Sequence, residues 1–320
     1  IIFFRAEKYK KAKMLFESIS FENIDIKNEI TRISNLAKCC DQIGESDEAF
    51  KYFSMTNNLI PKMKRQDYSD KKRYLKEIST RSDFFKKTNL KQWSISKSVD
   101  QRKDPVFLVG FPRSGTTLLD TILRSHPMVE VIEEKFMVKE MIESLSILTK
   151  GKYENLEKIS SNDIIKIRKD YFNSLDSYVK YNDSAKIYID KLPLNIIYIG
   201  EIIRVFPNSR FILSMRHPCD CVLSCFIQNF KLNDAMANFL NLNDAAHLYD
   251  SVMNLWIQYK SIFSINYYEV KYENLVSNFK PTIQSVLKFL NLPWNDQVLE
   301  YSKTAKKREN IATPSYNQVI

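Results

Sequence analysis

From about residue 5 to residue 100, apolar positions recur at helical spacing, with few Gly or Pro and no strand-type alternation. After Asp104 the pattern changes to short apolar runs separated by longer amphipathic stretches. The runs are Val106–Val109, the segment 128–135, Ile187–Asp190, Arg210–Met215 and Asn266–Val270. Between them, Leu118, Leu119, Ile122 and Leu123 mark one face of a helix that opens at Thr116 and ends near Ser125-His126-Pro127. Further helices are predicted over 140–182, broken at 149–152, over 234–264, and through Leu287, Phe289 and Leu290. Strands alternating with helices predict an α/β domain of three layers, with a mostly parallel sheet flanked by helices and an all-α segment ahead of it. On such sheets a ligand lies across the carboxyl ends of the strands.

Leu36, Ala37, Gly44, Ala49, Phe53 and Pro61 fall at spacings that resemble a tetratricopeptide repeat, with Gly44 as the turn between paired helices and Pro61 closing the unit. Tyr9, Ala12 and Phe16 resemble the second helix of a preceding repeat. This divides the chain into incomplete helical repeats over 1–62, a helical linker over 63–103 that ends in the polar stretch 94–102, and the α/β domain over 104–320. A stack this short leans on its neighbours, so the repeats serve either as a docking site for a peptide or protein partner or as a buttress.

The most informative stretch joins the first apolar run to its helix through Gly110-Phe111-Pro112-Arg113-Ser114-Gly115-Thr116-Thr117. Strand, glycine turn and helix start form a P-loop-like cradle, in which backbone N–H groups and the positive end of the helix dipole favour an anion. The glycine spacing is that of a nucleotide-binding loop, but Thr116 stands where the phosphate-reaching Lys would be. A small-molecule kinase would need that Lys and a magnesium ligand, and neither can be placed.

An apolar strand followed by Pro-Arg-Ser-Gly-Thr-Thr resembles the 5′-phosphosulfate loop of sulfotransferases that use 3′-phosphoadenosine 5′-phosphosulfate (PAPS). From Val106 through Glu134 the chain is similar to the tyrosylprotein sulfotransferases. The resemblance implies that Arg113, Ser114, Gly115, Thr116 and Thr117 hold the phosphosulfate. It also places Glu134, counted from Arg113, as the base that takes the acceptor proton. A carboxylate near the donor suits that task, while an acidic pair capping a strand, Glu133 with Glu134, is the plainer alternative. Asp190-Lys191-Leu192-Pro193 ends the next strand, and the resemblance gives Lys191 the leaving-group oxygens; a surface lysine at a strand end is the alternative. Arg216, after the strand Arg210–Met215, and Ser224, eight residues on, resemble the family's 3′-phosphate site. Tyr272-Glu273-Asn274-Leu275 resembles a segment that secures the fold beside the cofactor. The late stretch 313–319 resembles a loop before a nucleotide clamp, with Ser315, Lys306, Lys307 and Arg308 as weak candidates for part of it. The implied activity is in-line sulfuryl transfer from PAPS to a peptide tyrosine, a glycan or a small molecule, with no metal and no covalent intermediate. A non-enzymatic reading, helical repeats carrying an inactive domain, predicts nucleotide binding without turnover.

Composition changes this picture little. The chain has 320 residues, 44% of them hydrophobic, which is ample for a buried core, and a formal charge of +10 that suits an anionic ligand. No apolar run reaches membrane-spanning length and no leader pattern opens the chain. Five bunched cysteines, Cys39, Cys40, Cys219, Cys221 and Cys225, do not form a secreted disulfide framework, so a reduced, cytoplasmic protein is expected. Cys219, Cys221 and Cys225 with His217 fit either a metal site or buried small side chains. The chain opens without Met in a helical pattern and stops in an extended one, which predicts that it continues at both ends.

Overall fold

A computed structural model of the protein describes residues 2–19, 25–63, 69–87, 102–179 and 187–306. It forms two compact units, Ile1–Leu75 with Val222–Leu248, and Lys76–Cys221 with Tyr249–Ile320. The late candidates Ser315, Lys307 and Arg308 lie outside the described residues, as does the linker stretch 94–101.

In the first unit the helices Tyr9–Glu17, Ile26–Gln42 and Ser46–Leu59 bury Ala12, Phe16, Leu36, Ala37, Ala49 and Phe53 in one cluster. These are the apolar and small positions whose helical spacing the sequence displays. Gly44 makes the turn between the second and third of these helices in a left-handed conformation, φ 81°, which glycine adopts without steric cost. Arg32 can be buried beside them because each of its guanidinium nitrogens finds an acceptor, donating to both carboxylate oxygens of Glu29 at 2.8 and 2.9 Å and to the Phe16 carbonyl at 2.6 Å.

The second unit is built on a five-stranded sheet. Its strands are β1 (Val106–Gly110), β2 (Val129–Glu133), β3 (Ile187–Lys191), β4 (Arg210–Met215) and β5 (Tyr267–Lys271). They lie in the order β2-β3-β1-β4-β5, and every pairing is parallel. The last strand runs one residue beyond its predicted end because Lys271 pairs with Met215 in the β4 ladder. Buried on both faces, β1 sends Val106 and Leu108 to one side, where they meet Leu119, Ile122, Leu123, Ile283, Val286 and Leu287 from the helices Thr116–Arg124 and Phe279–Phe289. Phe107 goes to the other side and stacks on Phe211, with Tyr171 and Phe206 around it. A central parallel strand must cover both faces with helices, and the continuous apolar run of β1 is the sequence signature of that position.

The direction in which successive connections cross the sheet switches between β1 and β4. The connection after β1 runs to the far edge at β2, whereas the one after β4 runs the other way to β5. The loops after these two strands therefore part, leaving a crevice at their carboxyl ends. No helix among the described residues is long and apolar enough to cross a membrane.

Candidate functional site

The loop after β1 is held by close contacts that only glycine permits. A Cβ on Gly110 would stand 2.5 Å from the Ser214 carbonyl oxygen, since the two residues are paired between β1 and β4. Gly115 has φ 97°, caps the helix Thr116–Arg124, and lies against the ring of Tyr272, whose Cδ2 would be 2.6 Å from an added Cβ. Arg113, at φ 68°, is one of the non-glycine residues in left-handed geometry. Such strain is retained where surrounding structure demands it and concentrates at functional sites.

Ser214 donates its hydroxyl to the Ser114 carbonyl at 2.9 Å, which ties the loop to β4. The Ser114 hydroxyl is itself buried and has no hydrogen-bond partner among the described residues. The helix that follows has no side-chain cap among the described residues, and a helix start presents backbone N–H groups that lack an intrahelical partner. An orphaned hydroxyl beside an uncapped helix start fits an anionic group, whose oxygens would accept from both. Thr116 and Thr117 are buried at that helix start, with Thr117 accepting from Thr121 through its carbonyl at 2.8 Å.

Across the crevice, Arg216 follows β4. Its guanidinium lies over the Tyr272 ring at 4.8 Å and reaches Asp220 at 3.4 Å, while its Nε is buried without a hydrogen-bond partner. The ring of Tyr272 thus touches both the Gly115 turn and Arg216. Glu273 accepts from the His217 N–H at 2.8 Å, and that bond together with nearby Arg216 holds its carboxyl below the usual range, against the upward push of burial. Tyr272, the first residue of the segment Tyr272-Glu273-Asn274-Leu275, lies against the loop at Gly115, a contact that could not be read from the sequence. Ser224 is half-buried on the helix Pro218–Phe226, in the part of the chain grouped with the first unit. Cys221 is buried, with its thiol pushed up to about 12 chiefly by desolvation, whereas Cys219 is exposed.

At the neighbouring strand ends, Lys191 is completely buried, so it is not a surface lysine. Its ammonium donates to Glu134 Oε1 at 2.8 Å and to Glu133 Oε1 at 3.0 Å. The β2–β3 register sets Glu133 directly opposite Lys191. Glu134 is the first residue past the strand. Its N–H still donates to the Lys191 carbonyl at 2.8 Å, but at φ 50° it turns the chain out of the sheet and leaves its side chain 27% exposed. The acid pair and the lysine, 57 and 58 residues apart in sequence, form one cluster.

On the opposite face of β3, Asp190 is buried, and among the described residues only the Tyr171 hydroxyl donates to it, to Oδ2 at 2.8 Å. Desolvation pushes this carboxyl up to about 7, opposed by the Tyr171 bond. Nothing in the local sequence marks Asp190 as unusual, because its partner comes from a helix 19 residues upstream.

A family model described as "Sulfotransferase family" matches residues 105–296. An uncharacterized protein of Aquifex aeolicus (strain VF5) is 33% identical over 224 residues, covering 68% of this chain and 29% of that protein. The protein-tyrosine sulfotransferase of Drosophila melanogaster is 27% identical over 217 residues, covering 64% of this chain and 42% of its own length. The chain thus spans less than half the length of these curated relatives. Among solved structures, the sulfotransferase domain from the Synechococcus PCC 7002 olefin synthase aligns with a TM-score of 0.45 at 18% identity, over 68% of this chain and 85% of that one.

Proposed function

Because this chain belongs to the sulfotransferase family, we propose that it transfers a sulfuryl group from PAPS to an acceptor hydroxyl. One observation carries the reading: an anion-seeking loop with an orphaned buried hydroxyl stands at the same sheet edge as a buried lysine paired with two carboxylates. PAPS would supply an activated sulfuryl group on a good leaving phosphate. Arg113, Ser114, Gly115, Thr116 and Thr117 would hold the phosphosulfate end. Arg216, with Ser224 as its companion by resemblance, would take the 3′-phosphate. The acceptor oxygen attacks sulfur as the bond from sulfur to the bridging phosphate oxygen breaks. Glu134 takes the hydroxyl proton, and the Lys191 ammonium offsets charge on the departing phosphate.

The named relatives favour a peptide tyrosine over a glycan or small molecule as acceptor, and a peptide partner on the N-terminal helices would suit that substrate. Five free thiols favour a reducing, cytoplasmic setting. The test is calorimetry with 3′-phosphoadenosine 5′-phosphate (PAP) together with labelled PAPS and a panel of tyrosine peptides, glycans and small alcohols. Glu134→Ala should abolish transfer while PAP still binds. Transfer at the wild-type rate in that variant, or absence of PAP binding to the wild type, would overturn the reading.

A further inference from the structure

Glu133 and Glu134 sit side by side on one ammonium, yet they are held very differently. Glu133 ends β2, is fixed by the ladder opposite Lys191, and its side chain is 8% exposed. Glu134 lies past the strand on a left-handed residue and is the more exposed of the two. A buried ammonium needs a carboxylate at all times, because a desolvated, unpaired charge costs several kcal/mol. If Glu134 alone met that need, each proton it accepted would strip Lys191 of its counterion.

We infer that Glu133 is the resident counterion of Lys191, a positioning residue that keeps the lysine charged and aimed while Glu134 exchanges between the lysine and the acceptor hydroxyl. The charge balance supports the division of labour. Transfer of the acceptor proton to Glu134 removes one negative charge from the cluster. That neutralisation occurs as the leaving phosphate becomes more negative, so the cluster loses repulsion at the moment charge builds beside it. With Glu133 neutral, Glu134 would be the carboxylate left on the lysine and would be less free to turn to the acceptor.

This inference rests on the sulfuryl-transfer reading, and its test separates the two. Glu133→Gln preserves shape and removes charge. The expected result is a fall in kcat of about tenfold to a hundredfold, with PAP affinity by calorimetry unchanged within about threefold, the window a charge outside the phosphate contacts should respect. Glu133→Asp, which keeps the charge on a shorter arm, should recover part of the rate. Wild-type kcat in Glu133→Gln, or PAP affinity falling in step with kcat, would overturn the role of Glu133. If Glu133→Gln does not fold, Glu133→Asp decides: reduced kcat with PAP affinity kept upholds the role, and unchanged kcat overturns it. A wild-type protein that binds PAP but transfers nothing to any acceptor would instead sink the sulfuryl-transfer reading.

Discussion

Replacing Asp190 by Asn should remove a pH dependence of stability that the wild-type fold carries. Asp190 is 1% exposed and, among the described residues, accepts only the Tyr171 hydroxyl, with Oδ1 left unpartnered. Burial raises its carboxyl to about 7, against an ordinary value near 3.8. Between those values the folded state holds a proton that the unfolded state has released, so stability falls as pH rises through the window. The penalty is absent below about pH 4 and complete above about pH 7, where it amounts to about 4 kcal/mol at roughly 1.4 kcal/mol per unit. Asn cannot ionise; its extra N–H donors near an apolar wall cost about 1–3 kcal/mol, the same at every pH. In urea unfolding at a series of pH values, the difference between Asn and wild type should therefore shift by about 4 kcal/mol in favour of Asn from pH 4 to pH 8. Taking the difference cancels the titration of every group the two proteins share. A flat difference, or one that moves in favour of wild type with rising pH, would refute the argument that desolvation governs Asp190.

Gly115→Ala should destabilise the fold by about 2–3 kcal/mol, combining left-handed strain with displacement of the Tyr272 ring. Adding Tyr272→Ala should relieve the steric share, giving about 1 kcal/mol or more of coupling in a double-mutant cycle by denaturant unfolding, and strict additivity would show that the ring contact is not the cause. Arg216→Ala should weaken PAP binding more than binding of adenosine 5′-phosphosulfate, which lacks the 3′-phosphate; equal losses in calorimetry would remove Arg216 from that end of the donor.

Much of the site was legible because its signals are local. The loop from Gly110 to Thr117 combines two glycines, a strand and a helix start within a few residues, and each requirement is visible in the chain itself. Glu134 was singled out by its count from Arg113 and Lys191 by its place at a strand end, both through the family resemblance, and the structure brings the two side chains together. The roles of Glu133, Asp190 and Tyr272 were not legible. Tyr272 matters to the loop because β5 lies next to β4 and brings the residue after it against Gly115. Asp190 is unusual because it is buried against Tyr171, whose ring packs with Phe107 and Phe206.

By itself the amino-acid sequence determined the elements: five apolar runs with strand character, the helices between them, the glycine turn that an anion would find, and the helical segment ahead. Periodicity reports which face of a residue's own element is apolar, and that is a local property. Tertiary structure alone decided the strand order β2-β3-β1-β4-β5 and the register that sets Glu133 across from Lys191. Order and register follow from which faces bury together over long separations, and a shift of one residue between β2 and β3 would have turned Glu133 away from the lysine. The chain supplied two acids and a base of unremarkable type; the sheet made them one charged cluster.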